Sequence, residues 1–213
     1  MEEQILKVYK EAGFSFTEPQ QQNDILEKTR IYLAELNKWN SQINLTSRGD
    51  QGHILQRHFS ESLQYAKGMN QILRLVDIGS GAGFPGIPLK IVFPEIQIVF
   101  IESLRKRVSF LESVSRKMKF TNYQVLIGRA EEMGMSEEYN CSFDAATFRS
   151  VASLRDCLTL GSPFLKENGK ILVKKEPDIT LEDNHPMYFD EEFEFTTADG
   201  RESKLLVFNK CST

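Results

Sequence analysis

Leu75 to Pro88, LVDIGSGAGFPGIP, is the stretch that decides the fold. Leu75, Val76 and Ile78 read as the end of a buried strand, and Gly79, Gly81, Gly83 and Gly86 follow within eight positions. Glycines so placed let the backbone turn tightly and let a ligand approach the main chain. Ile87, Leu89, Ile91 and Val92 then continue as a helix. A strand, a glycine-rich turn and a helix form the opening unit of a nucleotide-binding α/β domain, with the ligand outside the carboxyl end of the strand.

Two ligand classes fit such a turn. Taken from Gly81, the run Gly81, Gly83, Gly86 satisfies the dinucleotide pattern G-x-G-x-x-G, and Glu102 stands about 20 residues on, where a ribose-binding acid belongs. Taken from Gly79, Asp77-x-Gly79-x-Gly81-x-Gly83 resembles motif I of class I S-adenosylmethionine-dependent methyltransferases. The second register is favoured. Asp77 is a carboxylate suited to the ammonium group of that cofactor and has no purpose against a pyrophosphate. Phe84 and Pro85 fall where a dinucleotide fold counted from Gly79 wants glycine.

The 213 residues correspond to one domain with a small extension, 40% hydrophobic and 26% charged, without an apolar run near the roughly 18 residues of a membrane span. The amino terminus, MEEQILKVYK, carries acids and no long apolar segment, so no secretory signal and a cytoplasmic location are expected. Cys141, Cys157 and Cys211 are odd in number and widely spaced, which indicates neither a disulfide framework nor a zinc site. A net charge of −4 weighs against broad nucleic-acid affinity, though not against local basic patches.

In chain order, Glu2 to Glu11 reads as a short helix ended by Gly13. A second helix is capped by Thr17, has Pro19 in its first turn, and carries Ile25, Leu26, Tyr32, Leu33, Leu36 and Trp39 at helical spacing. A polar, turn-rich segment from Asn40 to Asp50 precedes a third helix from Gln51 to about Lys67. Residues 1–70 are thus expected to be a helical extension ahead of a 71–213 Rossmann-like domain. His53 and His58, five apart, fall on different helix faces and make poor metal partners, and no metal site is expected.

The second strand, Ile96 to Ile101, ends at Glu102, whose carboxylate faces the crevice and can accept hydrogen bonds from ribose hydroxyls. The following helix, with Ser103 as N-cap and Leu104 on its inner face, holds the most basic segment: Arg105, Lys106, Arg107, Arg116, Lys117 and Lys119. It is either a solvated face or an RNA contact. The third strand, Tyr123 to Ile127, delivers Ala130 and Glu131, whose backbone could read an adenine edge. The fourth, Phe143 to Phe148, delivers Arg149. An arginine there needs an anion: the carboxylate of the cofactor's methionine portion, an RNA phosphate, or a structural partner in Asp144 or Glu176. A helix from Ser153 to Leu165 opens with a capping box to Asp156. Strand five, Lys170 to Val173, ends in Lys174 and Lys175. Tyr188 to Thr197 and Leu205 to Asn209 read as an antiparallel pair, with an acidic run, Asp190 to Glu194, expected away from any RNA.

Several segments together resemble the RsmG (GidB) family of bacterial 16S rRNA guanine-N7 methyltransferases: LNKWNSQINLTS from Leu36, RHFSESL from Arg57, LVDIGSGAGFPGIPLKI from Leu75, ESLRKRVSFL from Glu102, GRAEE from Gly128 and TFRSVASL from Thr147. The resemblance implies a class I core, a central mostly parallel sheet with helices on both faces, behind an N-terminal helical extension. It implies S-adenosylmethionine as cofactor, with contacts at Gly79, Phe84, Ala130, Glu131 and Arg149; Gly81 and Glu102 join them from the glycine turn and the second strand. It implies 16S rRNA as substrate, within the 30S subunit or a precursor, at the guanine at position 527. The departure is at the end, where Lys174, Lys175, Glu176 and Pro177 replace the family's usual lysine-glycine pair and the remaining segment looks too short for a last helix.

Guanine N7 carries an in-plane lone pair free of protons at neutral pH. Methyl transfer to it therefore needs alignment and no general base, and no catalytic acid or base is expected. N7 lies in the narrow major groove of A-form RNA, so the target belongs in a loop or distorted region. Lys174, Lys175 and the Arg105 helix are the expected phosphate contacts, and a monomer is expected. Two other classes remain open: a dinucleotide-dependent oxidoreductase and a non-catalytic RNA-binding or ribosome assembly factor.

Overall fold

The computed structural model describes residues 1–150, 153–175 and 187–210. Seven strands form one sheet in the order β3-β2-β1-β4-β5-β7-β6: β1 Arg74–Ile78, β2 Gln97–Glu102, β3 Tyr123–Ile127, β4 Phe143–Phe148, β5 Leu165–Lys175, β6 Met187–Thr196 and β7 Glu202–Lys210. The first five run parallel; β7 is antiparallel to β5 and β6 to β7. β1 lies at the centre of the parallel strands, between β2 and β4, and the chain reverses its direction of winding there. Such a switch point is where α/β sheets bind ligands.

Central strands are buried on both faces, so their apolar residues run nearly unbroken. Leu75, Phe100, Leu172 and Leu205 contribute to the core on one face; Val76, Ile78, Val99, Ile101, Phe148 and Ile171 contribute to the core on the other. The first core is covered by α1 Glu2–Glu11, α2 Pro19–Asn40, the helical run over 48–68, α4 Gly86–Val92 and α5 Arg105–Lys117. The second is covered by α7 Leu154–Gly161, next to the single turn α6 Ala130–Met133. Ile5, Tyr9, Tyr32, Leu36, Phe59 and Leu63 of the N-terminal segment are fully buried in the same cluster as the sheet residues. At about 1.5–3 kcal/mol for each such side chain, this packing outweighs an exposed ion pair such as Lys7–Glu11, worth under about 1 kcal/mol.

The structure differs from the sequence expectations in five places. Thr17 does not cap α2; Glu18 is the N-cap and makes no side-chain bond, because Pro19 fixes the first helical position one residue later. The helix expected from Gln51 is a succession of a 3₁₀ segment Arg48–His53, a π segment Ile54–Phe59, the short α3 Ser60–Gln64 and a 3₁₀ turn Tyr65–Gly68. It starts where Gly49 and Gly52 give the chain little preference for an α-helix. Ser103 is not the cap of α5. Leu104 is, because Glu102 Oε1 already accepts the Leu104 N–H, and Leu104 turns outward, 53% exposed. α7 stops at Gly161, before Pro163, which offers no N–H and introduces a 3₁₀ turn, Ser162–Phe164. β5 begins at Leu165, paired with Phe143 across an irregularity, and not at Lys170. The Ser153 capping bond to the Asp156 N–H is present at 3.1 Å, and the antiparallel pair at the end of the chain is in place. Glu176 and Cys211 lie outside the described residues; Cys141 is exposed and Cys157 buried.

Candidate functional site

A cavity of about 490 Å³ opens at the carboxyl ends of β1, β2 and β4, within the usual size range of ligand pockets. Gly79, Ser80, Gly81, Ala82 and Phe84 make one side, Glu102, Ser103 and Arg107 the floor beyond β2, and Arg149 and Ser150 the end of β4. Leu45, Thr46, Ser47 and His58, all from the N-terminal segment, make the opposite side.

The glycine turn owes its shape to its own backbone and to two neighbouring strands. Gly81 has φ +54°, which suits a residue without a Cβ, and its open side faces Arg107 and Glu102. The Gly79 and Ser80 N–H groups donate to Ile101 O at 2.9 and 3.1 Å, tying the turn to β2. Glu102, 4% exposed, accepts the Gly81 N–H at Oε2 (2.9 Å) and the Leu104 N–H at Oε1 (2.9 Å). Its carboxylate is thereby fixed toward the cavity with lone pairs left for a diol. Arg107 Nη1 lies 3.7 Å from the same Oε2.

Asp77 behaves otherwise than its position in the motif suggests. It is fully buried and does not line the cavity. Oδ1 accepts from Thr147 Oγ1 at 3.0 Å and Oδ2 from the Gly86 N–H at 3.2 Å, so the carboxyl braces the turn from beneath. Burial pushes it up to about 7 in spite of those hydrogen bonds. The ammonium contact that favoured the second register is thus not available to Asp77 in this arrangement.

Arg149 has found an anion that neither its strand nor its neighbours in sequence supply. Its Nη2 and Nε donate to Glu61 Oε2 at 3.1 and 3.3 Å, Nη2 also meets His58 Nδ1, and the guanidinium lies 5.0 Å from the centre of the Phe84 ring. Asp144, the partner considered within the domain, is engaged instead by Lys166 Nζ and by the Leu73 and Arg74 N–H groups. Lys174, expected as a phosphate contact, has its ammonium 3.7 Å from Glu61 Oε1 and is largely buried. Lys175 is half-buried, opposite Lys204 of β7. Arg105 and Lys106 of α5 are exposed.

Of the expected cofactor residues, Gly79, Gly81, Phe84, Glu102 and Arg149 gather on the cavity. Ala130 and Glu131 stand apart from it, opening α6 at the end of β3, next to the end of β2. The sequence reading missed Leu45, Thr46, Ser47, His58, Ser103, Arg107 and Ser150 as lining. A signal existed for the first group. Asn40, at the end of α2, accepts the Leu45 and Thr46 N–H groups on one Oδ1 (2.8 and 3.0 Å) and so folds the NLTS segment back over the cavity. Ser150 has φ +56°, an uncommon conformation for a residue with a side chain, as strained residues at ligand sites often do.

Two buried tyrosines tie the N-terminal segment to the site. Tyr32 donates to Ala82 O at 2.8 Å, and Tyr65 donates to Phe148 O at 2.6 Å while accepting the Lys174 N–H at 3.0 Å. Burial pushes both phenols far above their ordinary range, so they remain protonated donors.

Among the described residues, no group of three His, Cys, Asp or Glu side chains is placed to hold a metal ion, and no helix is long and apolar enough to cross a membrane. In comparisons with known proteins, the family described as GidB, rRNA small subunit methyltransferase G, matches residues 25–200. A ribosomal RNA small subunit methyltransferase G of Desulfitobacterium hafniense is 43% identical over 152 residues, 71% of this chain and 63% of that protein. One of Oceanobacillus iheyensis is 38% identical over 175 residues, 81% of this chain and 71% of that protein. The chain therefore spans roughly two thirds of the length of these curated relatives. Among solved structures, the putative methyltransferase yhhF of Escherichia coli superimposes with a TM-score of 0.50 at 15% identity, covering 70% of this chain and 81% of that one. MtNAS, in complex with MTA and tNA, superimposes with a TM-score of 0.56 at 14% identity, covering 90% of this chain and 74% of that one. At such identities the structures show a common fold.

Proposed function

The chain belongs to the GidB family of rRNA small subunit methyltransferases, and from that premise we propose that it transfers a methyl group from S-adenosylmethionine to N7 of a guanine in 16S rRNA, the guanine at position 527. The observation that carries the reading is the cavity between the glycine turn after β1 and the fixed carboxylate of Glu102. Its size, its glycine-lined side and a carboxylate set for a diol fit a nucleoside cofactor. The family match favours this over a nicotinamide oxidoreductase or a catalytically silent assembly factor.

S-adenosylmethionine, when bound, supplies an electrophilic methyl group on a sulfonium. Gly79 and Gly81 admit the ligand close to the main chain, Phe84 and Arg149 wall the side nearest β4, and Glu102 accepts ribose hydroxyls. Ala130 and Glu131 would border the adenine from the end of β3. Among the described residues, Glu102 is the one carboxylate lining the cavity, and both its oxygens accept backbone N–H groups. This suits a reaction in which the protein aligns two partners and removes no proton. Lys174 and Lys175 at the end of β5 and the exposed Arg105 and Lys106 of α5 are the phosphate contacts, Lys174 from its place beside Glu61. Residues 1–70 act as the extension that walls the site of a 71–213 methyltransferase domain. The protein works as a monomer on the 30S subunit or a precursor, in the cytoplasm where that substrate is made.

The test is transfer of labelled methyl from S-adenosylmethionine to 30S subunits lacking the modification, with the base mapped by cleavage at N7-methylguanine. A single labelled guanine is expected, and Arg149→Ala should lower transfer at least tenfold. Bound cofactor without label in any ribosomal particle would overturn the reading.

A further inference from the structure

Glu61 is a buried charge, paired with two cations, that the proposed chemistry leaves unused. It sits on α3, its side chain is 5% exposed, and it belongs to the N-terminal segment, 88 residues from its partner Arg149. One oxygen takes two N–H groups of the Arg149 guanidinium, and the other stands 3.7 Å from Lys174 Nζ. Arg149 is held at once by this carboxylate, by the face of Phe84 and by His58, which itself lies 5.6 Å from Phe84. Both Arg149 and Phe84 line the cavity. Removing one partner of a buried pair leaves an uncompensated charge in a poorly solvated place, so Glu61 governs both where Arg149 sits and how positive that corner is.

The sign of that charge matters for the proposed ligand. S-adenosylmethionine is a sulfonium cation in the part that reacts, and its product, S-adenosylhomocysteine, is the same molecule with a neutral thioether. A wall bearing Arg149, with Lys174 behind it and no carboxylate between them, would repel the first more than the second.

We propose that Glu61 is a positioning residue for the cofactor site: it fixes Arg149 against Phe84 and offsets half of the positive charge that Arg149 and Lys174 bring to that corner, so that the cavity retains the sulfonium cofactor against its neutral thioether product. This rests on the S-adenosylmethionine reading above. It assigns to the extension an electrostatic part in turnover, in addition to its part in walling the site.

The measurement is the dissociation constant of each ligand, by calorimetry on the full chain, for wild type, Glu61→Gln and Lys174→Gln. The amide of Glu61→Gln keeps the shape and one acceptor oxygen and removes the charge. It should shift the preference about tenfold toward the thioether, the scale expected for one unit charge acting through a partly screened interior. Lys174→Gln removes a cation from the same carboxylate and should shift the preference the opposite way. A purely structural role for Glu61 weakens both ligands by the same factor in Glu61→Gln and leaves the preference of Lys174→Gln at the wild-type ratio; either result overturns the proposal. If thermal melting shows that Glu61→Gln does not fold, the direction of the Lys174→Gln shift decides alone. Wild type that binds neither ligand removes the methyl-donor reading itself, and this one with it.

Discussion

The wall built by residues 79–86 and the wall built by residues 32–65 face each other across one cavity, and they are made in different ways. The first takes its form from backbone conformation and near neighbours: the Gly86 N–H reaches Asp77, nine residues back, and the Gly81 N–H reaches Glu102, 21 residues on. The second is held by side chains whose partners lie 50 residues away for Tyr32, 83 and 109 for Tyr65, and 88 for Glu61. Backbone writes the first wall and side-chain chemistry the second. Substitutions should therefore damage them differently.

The largest effect is expected on the glycine wall. A Cβ at Gly86 would stand 2.6 Å from both Asp77 Oδ2 and Phe100 Cε1, and neither can yield, since one is a hydrogen-bonded carboxyl and the other a ring buried in the sheet. Gly86→Ala should cost about 3 kcal/mol of stability, read as a lower urea midpoint at unchanged slope. Tyr65→Phe attacks the other wall more gently. It keeps the packing and removes a hydroxyl that serves Phe148 O and the Lys174 N–H, at a cost of about 1–3 kcal/mol for the two groups left behind. Because those groups flank Arg149 and Glu61, cofactor affinity should fall in this variant by more than in a variant of equal stability altered far from the site. A loss of stability with unchanged affinity would mean that the two walls are independent.

A third test is a pH signature carried by the glycine wall. Asp77 holds its proton up to about pH 7 in the folded chain, against an ordinary value near 4 in the unfolded one. The folded state therefore binds the extra proton between those values. Its contribution to stability is full below about pH 4, declines as pH rises and is gone above about 7. Asp77→Asn cannot titrate, so the melting temperature of wild type relative to this variant should fall across that interval and level off above it. A difference independent of pH would show that the carboxyl is already ionised when the chain folds.

The same contrast explains what could be read from the sequence. The strands, the glycine turn and the placing of Glu102 were legible because each depends on a pattern within about 25 residues: apolar runs, glycine spacing, an acid ending a strand. Asp77 was misassigned because spacing fixes which strand position it occupies but not that Thr147, from β4, draws its carboxyl inward. Arg149 was recognised as needing an anion, yet its partner was sought nearby, and no local pattern points from residue 149 to residue 61. The ion pair of Lys174 with Glu61 was not legible for the same reason. The caps of α2 and α5 each moved by one residue, through Pro19 in one case and the Glu102 carboxylate in the other.

The long reach of Tyr65 also has a consequence in time. A chain made from its amino end emerges with residue 65 long before residues 148 and 174, whose backbone groups its hydroxyl joins. The first segment synthesised is thus among the last to be satisfied, and contacts of such sequence separation are slow to form. Until residues 148 and 149 are made, Tyr65 lacks the Phe148 carbonyl and Glu61 lacks Arg149, and the contacts of both to Lys174 wait for the end of β5.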